Sequence, residues 1–398
     1  FELTERQAQA ILDLRLARLT HLEVFKLEKE LEEVRAEIAR LTAIVGSKTL
    51  QMELVKSELL QIRKAYKIAR RSNILNAADD YSVPSDSDEK PIEDYMVVVN
   101  ALGNLKKMPV RHFSMATKEF TESSSKNEIC TGIVKAKTNE RVYCFTNLGN
   151  CYKVDVDALP DGKWREKGLP FKSVVKGAAD NERVVYMTCI ADALPKGNLL
   201  FYTRDGMVKK SPWSEYGVVK SSFQAIKLKE GDEVIGMEDE MPGCTLLFVT
   251  AGGMCLNADM SDIPSQGRVA GGVKGIALGD GDTCVFIRQV TGDGEVALLT
   301  DRGYCKRVLV AQLDVMARYR KGVKITDFGK KTNGTKLVFV GYVKEPYTVI
   351  VELDGDYMSA YSTELFPIEN RTHVGRALIK GKSSVTAGLV YRDAPYNG

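Results

Sequence analysis

The sequence predicts a chain of two structural parts, a helical segment with a short coiled-coil seam followed by an all-β domain of six propeller-like blades. Apolar residues recur at heptad spacing near the start of the chain, short strand patterns fill the later part, and a turn glycine recurs among those strands at similar intervals. We place the helical domain at residues 1–76, an acidic linker at 77–93 and the β domain at 94–398.

The composition is that of a globular protein. The 398 residues are 44% apolar, with 33 Gly and 12 Pro. The chain has no run of about 20 apolar residues, so we expect no membrane contact. Charges nearly cancel, 56 basic against 53 acidic residues, so only their distribution can indicate a polyanionic partner. The chain opens inside a helical pattern without a signal region, and we expect it to be a piece of a longer protein.

The residues that could carry chemistry exclude most kinds of active site. The eight cysteines form no Cys-x-x-Cys pair and the three histidines lie far apart, so zinc-ligand spacing is absent. Scattered cysteines beside apolar residues are typical of reduced core thiols and favour a cytoplasmic location. The sequence also has no Gly-x-x-x-x-Gly-Lys-Ser/Thr loop and no Gly-x-Ser-x-Gly elbow. We therefore predict no catalytic residue, metal site or cofactor in this chain.

Helical patterns occupy the first domain. Thr4 and Gln7 fit a capping box, and the leucines that follow form a broad apolar surface, which predicts a first helix packed on several sides. A seam with spacings of four and three residues follows at Leu27, Leu31, Val34, Ile38, Leu41 and Val45. Gly46-Ser47 interrupts it, and we expect the next helix to fold back as an antiparallel partner. The pattern fits both an ordinary amphipathic hairpin and a dimerisation coiled coil.

An acidic stretch separates the two domains. Residues 77–94 hold seven acidic residues, one Lys and two prolines without periodicity, which is typical of a linker. Residues 95–398 carry a net charge of +6, so the β domain is mildly basic.

The β domain repeats one motif six times. In each repeat a β-branched or aromatic strand leads into a turn glycine. These glycines are Gly103, Gly149, Gly206, Gly253, Gly303 and Gly355. Glycine is expected where a hairpin needs a positive φ, and the strand after the turn exposes alternate side chains. We therefore expect a Lys three or four positions after the glycine to face solvent.

A basic loop that contains glycine follows most of the hairpins. The densest loops are at 163–170, 266–276, 318–325 and 371–378, whereas repeats one and three carry scattered lysines. One such loop is ordinarily a solvated turn, but equivalent positions in a ring fall on one rim, so the recurrence predicts a basic belt. A curved basic belt suits double-stranded DNA held through its phosphates. The predicted DNA-binding residues are Lys106, Lys107, Lys153, Lys163, Arg165, Lys167, Lys209, Lys210, Arg268, Lys274, Lys306, Arg307, Arg318, Arg320, Lys321, Lys324, Arg371 and Arg376.

Two parts of the sequence resemble a known family. The stretch from Leu3 to Leu16, LTERQAQAILDLRL, followed by Leu19-Thr20 and Leu22-Glu23, is similar to the base of the breakage-reunion region in A subunits of bacterial type IIA topoisomerases. The stretch 253–276 and the other repeats resemble the β-pinwheel blades of these subunits. The resemblance covers essentially the whole chain. It implies a homodimer gate in residues 1–76, a six-bladed DNA-binding β-pinwheel, and a partner B subunit that hydrolyses ATP.

Within this family the sequence is more similar to topoisomerase IV A subunits of Gram-positive type than to gyrase A subunits. Gyrases carry a Gln-Arg-Arg-Gly-Gly-Lys-Gly box in the first blade, and the corresponding stretch 113–129 has Glu119, Glu122 and Glu128 instead. We therefore expect the first blade to contribute least to DNA binding. A gyrase with a degenerate box is the alternative, and a β-propeller scaffold for protein interactions is an alternative of another class.

The resemblance also implies that other parts of a larger complex supply the chemistry. No tyrosine here follows an arginine in the family's catalytic context, so the tyrosine that attacks DNA is expected outside this chain. ATP and Mg²⁺ would be used through absent domains and the B subunit. The chain alone is expected to be inactive, although its parent would be an ATP-hydrolysing DNA topoisomerase.

Overall fold

A computed structural model of the chain describes residues 3–13, 21–67, 91–116, 120–121, 123–190, 193–328, 333–354, 357–379 and 384–391. The chain divides into two compact units, residues 1–88 and 89–398. Most of the predicted linker lies outside the described residues.

The first unit consists of helices. They are α1 Glu5–Leu12, α2 His21–Gly46 and α3 Lys48–Ala65. The predicted capping box is confirmed, because Gln7 donates its backbone N–H to the Thr4 hydroxyl over 3.4 Å and Thr4 donates its backbone N–H to the Gln7 amide oxygen over 2.9 Å. Ser47 caps α3 by accepting the backbone N–H of Leu50.

The apolar surface of this unit is not buried within the chain. The seam residues of α2 are 47% to 77% exposed, and α1 buries no residue. The predictions that α1 is packed on several sides and that α3 covers the seam are therefore wrong for the described residues. Only Ser47 separates α2 from α3, whereas two antiparallel helices need a loop of about two to five residues. Leu14, Leu16, Leu19 and Thr20 lie outside the described residues.

The described part of the second unit is built from strands, two short α-helices and several single-turn 3-10 helices. The α-helices are α4 Val110–Met115 and α5 Phe171–Val174. The strands are β1 Asp94–Asn100, β2 Asn104–Pro109, β3 Cys130–Lys137, β4 Arg141–Thr146, β5 Asn150–Asp155, β6 Leu169–Pro170, β7 Val184–Cys189, β8 Asn198–Thr203, β9 Met207–Pro212, β10 Ser222–Gln224, β11 Val234–Asp239, β12 Thr245–Thr250, β13 Met254–Ala258, β14 Val273–Lys274, β15 Cys284–Val290, β16 Glu295–Thr300, β17 Tyr304–Leu309, β18 Val315–Met316, β19 Val323–Lys324, β20 Leu337–Val343, β21 Thr348–Leu353, β22 Met358–Ser362, β23 Arg376–Ala377 and β24 Val385–Val390.

These strands form six sheets, which confirms the six predicted blades. The first sheet has the order β3-β1-β2-β6, and its outer strand β6 comes from the second repeat. In the same way β10, β14, β18 with β19, and β23 complete the second to fifth blades. The sixth sheet has the order β22-β21-β24. Each of the first five blades is therefore completed by a strand from the following repeat.

Adjacent blades share their cores and close into a ring. One strand from each blade lies next to the corresponding strand of the following blade, in the order β3, β7, β11, β15, β20 and β24. The first strand of each hairpin packs against the blades on both sides of its own blade, so strands such as β12 are buried along almost their whole length. Val98 and Met108 of the first blade share a core cluster with Ile350 and Tyr391 of the sixth. The first and last blades are therefore in contact.

Glycines occupy turn and loop positions where the backbone has a positive φ or lies close to a strand of the neighbouring repeat. The turn glycines at 103, 149, 206, 253 and 303 have φ between +72° and +79°, as predicted, and Gly355 lies outside the described residues. The basic loops need a second glycine. At Gly322, with φ +72°, an added Cβ would lie 2.0 Å from the carbonyl oxygen of Cys255, so no larger residue fits.

The backbone joins each repeat to the preceding turn. In each following repeat a residue donates its N–H to the carbonyl oxygen of the turn glycine, over 2.8 to 3.3 Å, and at Gly149 the N–H of Ile226 donates to the same oxygen as well. We call these residues the anchor residues: Phe171, Ala225, Gly275, Ile325 and Leu378. They define equivalent positions in repeats two to six, independently of sequence similarity.

Candidate nucleic-acid interface

The predicted basic loops lie along the outer edges of the blades. Each leads into an outer strand: Lys167 precedes β6, Lys274 lies in β14, Lys324 in β19 and Arg376 in β23. Because these strands occupy the same place in their sheets, the structure brings the loops onto one outer rim. We call this surface the basic rim. Its exposed members are Lys163, Arg165, Lys167, Lys274, Arg320, Lys321, Lys324 and Arg376.

Three half-buried arginines hold the rim together. Arg268, Arg318 and Arg371 each lie seven residues before an anchor residue. Each donates from Nη1 to a carbonyl oxygen of the preceding outer strand, that of Gln224, Lys274 (3.1 Å) and Lys324 (3.3 Å) respectively. A guanidinium has five N–H donors, so these arginines can link neighbouring repeats and retain donors for a phosphate.

The lysines three positions after the turn glycine do not face solvent. Lys106, Lys209 and Lys306 are at most 1% exposed, so the prediction that they lie on the surface is wrong. The loop of the next repeat covers them. Lys306 Nζ donates to the carbonyl oxygens of Asn370, Arg371 and His373 over 3.1, 3.0 and 2.6 Å.

The first and third repeats use their lysines in the same way. Lys106 Nζ donates to the carbonyl oxygens of Lys163, Trp164 and Glu166, which have the same spacing as the three partners of Lys306. Lys209 Nζ donates to the Tyr216 hydroxyl and to two backbone carbonyls. Through these hydrogen bonds the buried lysines hold the basic loops in place.

Burial also changes the acidity of these lysines. Loss of hydration lowers the pKa of Lys106, that of Lys306 to about 8 and that of Lys209 to about 7, where the positive charge of Arg268 acts in the same direction. The carbonyl oxygens take the place of water around the ammonium groups. None of the three can reach a ligand at the surface.

The basic residues four positions after the turn glycine also have partners within the domain, some in the same repeat and some in the next. Lys107 is 4% exposed, which corrects its predicted surface position, and it donates to the carbonyl oxygen of Asp157. Lys153 donates to the carbonyl oxygen of Val218, and Lys210 pairs with Glu240 over 2.9 Å. Arg307 pairs with Glu295 over 2.6 Å and donates from Nε to the carbonyl oxygen of Phe366.

The first blade differs from its predicted surface. Glu128 is 1% exposed, with its carboxylate 3.6 Å from the guanidinium of Arg165, so it cannot repel a phosphate from the surface as expected. Burial beside a loop from the next repeat explains the difference. Glu119 and Glu122 lie outside the described residues.

Sequence reasoning missed Tyr319. Among the described residues it is the one non-glycine with a positive φ, +62°, and its side chain is 52% exposed. The Lys274 ammonium lies 5.0 Å from the centre of its ring. The available signal was an aromatic residue inside the basic run Arg318 to Lys321.

Other kinds of site find little support in the described part of the chain. No group of three or more His, Cys, Asp or Glu there is arranged to hold a metal ion. The eight cysteines are free thiols, and burial raises the pKa of Cys144 and Cys255 to about 12, so these two are poor nucleophiles. No described helix is long and apolar enough to span a bilayer.

Comparison with known proteins identifies relatives for the β domain. Residues 140–191, 197–238, 245–291 and 294–339 match the family described as DNA gyrase C-terminal domain, beta-propeller. These segments correspond to repeats two to five.

Curated relatives extend the similarity into the helical unit. The DNA gyrase A subunit of Staphylococcus epidermidis is 32% identical over 333 residues, which cover 81% of this chain and 37% of the relative. The DNA gyrase A subunit of Metamycoplasma arthritidis is 28% identical over 401 residues, which cover 98% of this chain and 44% of the relative. The chain spans less than half the length of these relatives.

Solved structures share the fold. The C-terminal domain of DNA topoisomerase IV superimposes with a TM-score of 0.67 at 24% identity, covering 75% of this chain and 94% of that one. The C-terminal domain of DNA gyrase A gives a TM-score of 0.54 at 16% identity, covering 75% of this chain and 100% of that one.

The buried and exposed lysines should respond differently to the same substitution. Lys306→Met leaves three backbone carbonyls without their ammonium donor and should lower the free energy of unfolding by about 1–3 kcal/mol. The matched control, Lys321→Met on the exposed rim, should change it by less than about 0.5 kcal/mol. Urea unfolding measures both, and equal stability of the two variants would contradict the role assigned to Lys306.

Proposed function

This chain belongs to the family of type IIA DNA topoisomerase A subunits and corresponds to their C-terminal part, and from that premise we propose that its six-bladed ring binds and bends double-stranded DNA along the basic rim. The observation that supports the proposal best is the recurrence of exposed Lys and Arg side chains at the outer strands of the first, third, fourth and fifth blades.

The rim suits a phosphate backbone more than a base sequence. Its exposed cations are spread over several blades, and each neutralised phosphate releases counterions and adds to the affinity. The arginines that link neighbouring repeats hold the loops in place, so the charges are fixed before DNA arrives. A duplex that follows a curved rim must bend, and the phosphate contacts offset the energy of bending.

We propose topoisomerase IV as the parent enzyme, which would carry out ATP-dependent double-strand passage for decatenation and relaxation of supercoils. The absence of the Gln-Arg-Arg-Gly-Gly-Lys-Gly box from residues 113–129 supports this choice. DNA gyrase is the second candidate, since the curated relatives described above are gyrase A subunits.

We further propose that the helical unit is the dimer gate of the parent. The exposed seam of α2, 47% to 77% exposed along its length, has an apolar surface that the described residues of a single chain leave uncovered. A second copy would bury it with coiled-coil spacing. In the full complex a B subunit would supply ATP hydrolysis and bind Mg²⁺, and a tyrosine outside this chain would attack DNA.

Binding to duplex DNA should depend steeply on salt. If the rim contacts about six to eight phosphates, log affinity should fall against log salt with a slope of roughly −5 to −7. Replacing the exposed residues Arg320, Lys321 and Lys324 together by Ala should reduce the magnitude of this slope by about two to three units. Fluorescence anisotropy over a salt series measures both slopes.

A charge-matched control separates the rim from net charge. Lys137, Arg141 and Lys344 are exposed near the ends of strands away from the outer edge, and their replacement by Ala should leave the slope unchanged. Equal effects of the two triple variants would remove the rim from the DNA path. A wild-type slope near −1 would favour the protein-interaction scaffold.

Self-association should depend on the α2 seam. The chain should sediment as a dimer at high micromolar concentration, and Leu31→Glu with Ile38→Glu should make it monomeric, because two charges would then have to be buried in the seam. The control Lys29→Glu, outside the seam, should remain dimeric. A wild-type monomer at that concentration would contradict the gate.

The full-length protein with its B subunit can distinguish the two candidate enzymes. We expect ATP-dependent decatenation and relaxation of plasmid DNA without introduction of negative supercoils, because the first blade lacks the gyrase box. Gel analysis of the products measures this. Negative supercoiling of relaxed plasmid would establish the gyrase alternative instead.

A further inference from the structure

An exposed apolar side chain recurs at one position of the rim in three consecutive repeats. The position lies six residues before the anchor residues Ala225, Gly275 and Ile325. It holds Val219, Val269 and Tyr319, which are 95%, 53% and 52% exposed. We call these three residues the apolar row.

The row lies among basic residues. Lys220 follows Val219, and Arg268 precedes Val269. Tyr319 stands between Arg318 and Arg320. In repeats two and six the equivalent residues are Arg165 and Thr372, so the row occupies the middle of the rim and has polar residues at both ends.

Recurrence distinguishes this row from ordinary surface residues. Single exposed apolar side chains are normal and need no explanation, whereas here one is repeated at the same position of three consecutive repeats. Tyr319 is in addition held in the left-handed region, which disfavours a bulky residue. Its ring also faces the Lys274 ammonium across the boundary between repeats four and five.

The charges around the row identify its partner. A protein surface complementary to these side chains would have to neutralise the cations beside each of them, at intervals of one repeat. Duplex DNA offers both features, with phosphates for the cations and, between the two phosphate backbones, the uncharged deoxyribose and base edges of the minor groove. Apolar side chains inserted there unstack neighbouring base pairs and kink the duplex.

We propose that Val219, Val269 and Tyr319 enter the minor groove of the bound duplex and act as wedges that bend it, with Tyr319 as the largest wedge. This inference rests on the proposed DNA-binding function. The flanking Lys and Arg residues bring the duplex to the rim, and the row sets how far it bends. The wedges carry no charge, so bending and the salt dependence of binding are separable.

Three substitutions that change no charge test the row. The variant Val219→Ser, Val269→Ser, Tyr319→Asn keeps every cation of the rim, and Asn tolerates the positive φ of position 319. We expect its salt slope to match the wild type, its affinity to fall about tenfold, and its bend angle to decrease. Anisotropy measures affinity and slope, and energy transfer between the labelled ends of a short duplex measures the bend.

A matched control has the same chemistry elsewhere. Leu102, Val285 and Tyr357 are 50%, 39% and 73% exposed outside the basic loops, and Leu102→Ser, Val285→Ser, Tyr357→Asn should bind and bend DNA like the wild type. Tyr319→Phe keeps the ring and should retain the full bend. Circular dichroism establishes that each variant is folded at the assay temperature.

The possible failures are distinct. Wild-type affinity and bend in the row variant, with a steep salt slope, would overturn the row and leave the basic rim in place. A changed slope in the row variant would show that these residues act through the charged contacts and would also overturn the wedge. Absence of salt-dependent binding in the wild type would overturn the proposed function, and the inference with it.

Discussion

The β domain depends on the strand that each repeat supplies to the blade before it. The bond from an anchor residue to the carbonyl oxygen of the preceding turn glycine is made by backbone alone, so it recurs although the anchor residues are as different as Phe171 and Gly275. The close approach needs glycine in the loop as well, as the contact between Gly322 and Cys255 shows. A repeat therefore completes its blade only when the next one is in place. The rim loops are for this reason part of the contacts between blades.

Lysine serves two opposite purposes in this arrangement. Lys306 is enclosed by the loop of the next repeat and holds it through three carbonyl oxygens, whereas Lys321 and Lys324 project from such a loop into solvent. The buried lysines and the linking arginines place the exposed charges at fixed positions along the rim. Preorganised charges lose less conformational entropy when a polyanion binds. Buried lysines thus stabilise the loops of the rim, and exposed lysines form its charged surface.

Each unit exposes a surface that the described residues of the chain do not cover. The α2 seam is apolar and uncovered, and the rim concentrates positive charge beside exposed apolar residues. The partners proposed for these surfaces are a second copy of the chain for the seam and duplex DNA for the rim. The proposed dimer gate and the proposed DNA-binding rim would account for both surfaces. Under the proposed function the chain would contribute binding surfaces, and other parts of the assembly would supply the chemistry.

The sequence by itself determined the features that depend on local geometry. These features are the positive φ at the turn glycines, the strand periodicity, the Thr4 capping box and the number of repeats. They depend on contacts between residues close in the chain, so local sequence patterns predict them. Which side chains are buried depends on contacts with residues far away in the sequence. Lys106 is covered by residues 57 to 60 positions away, and Glu128 by a loop of the next repeat, so alternation along a single strand could not separate buried from exposed cations. The apolar row likewise emerged only when backbone bonds aligned the repeats. Tertiary structure decided which charges face solvent because, in the first five blades, the strand after the turn glycine is covered by a strand from the following repeat.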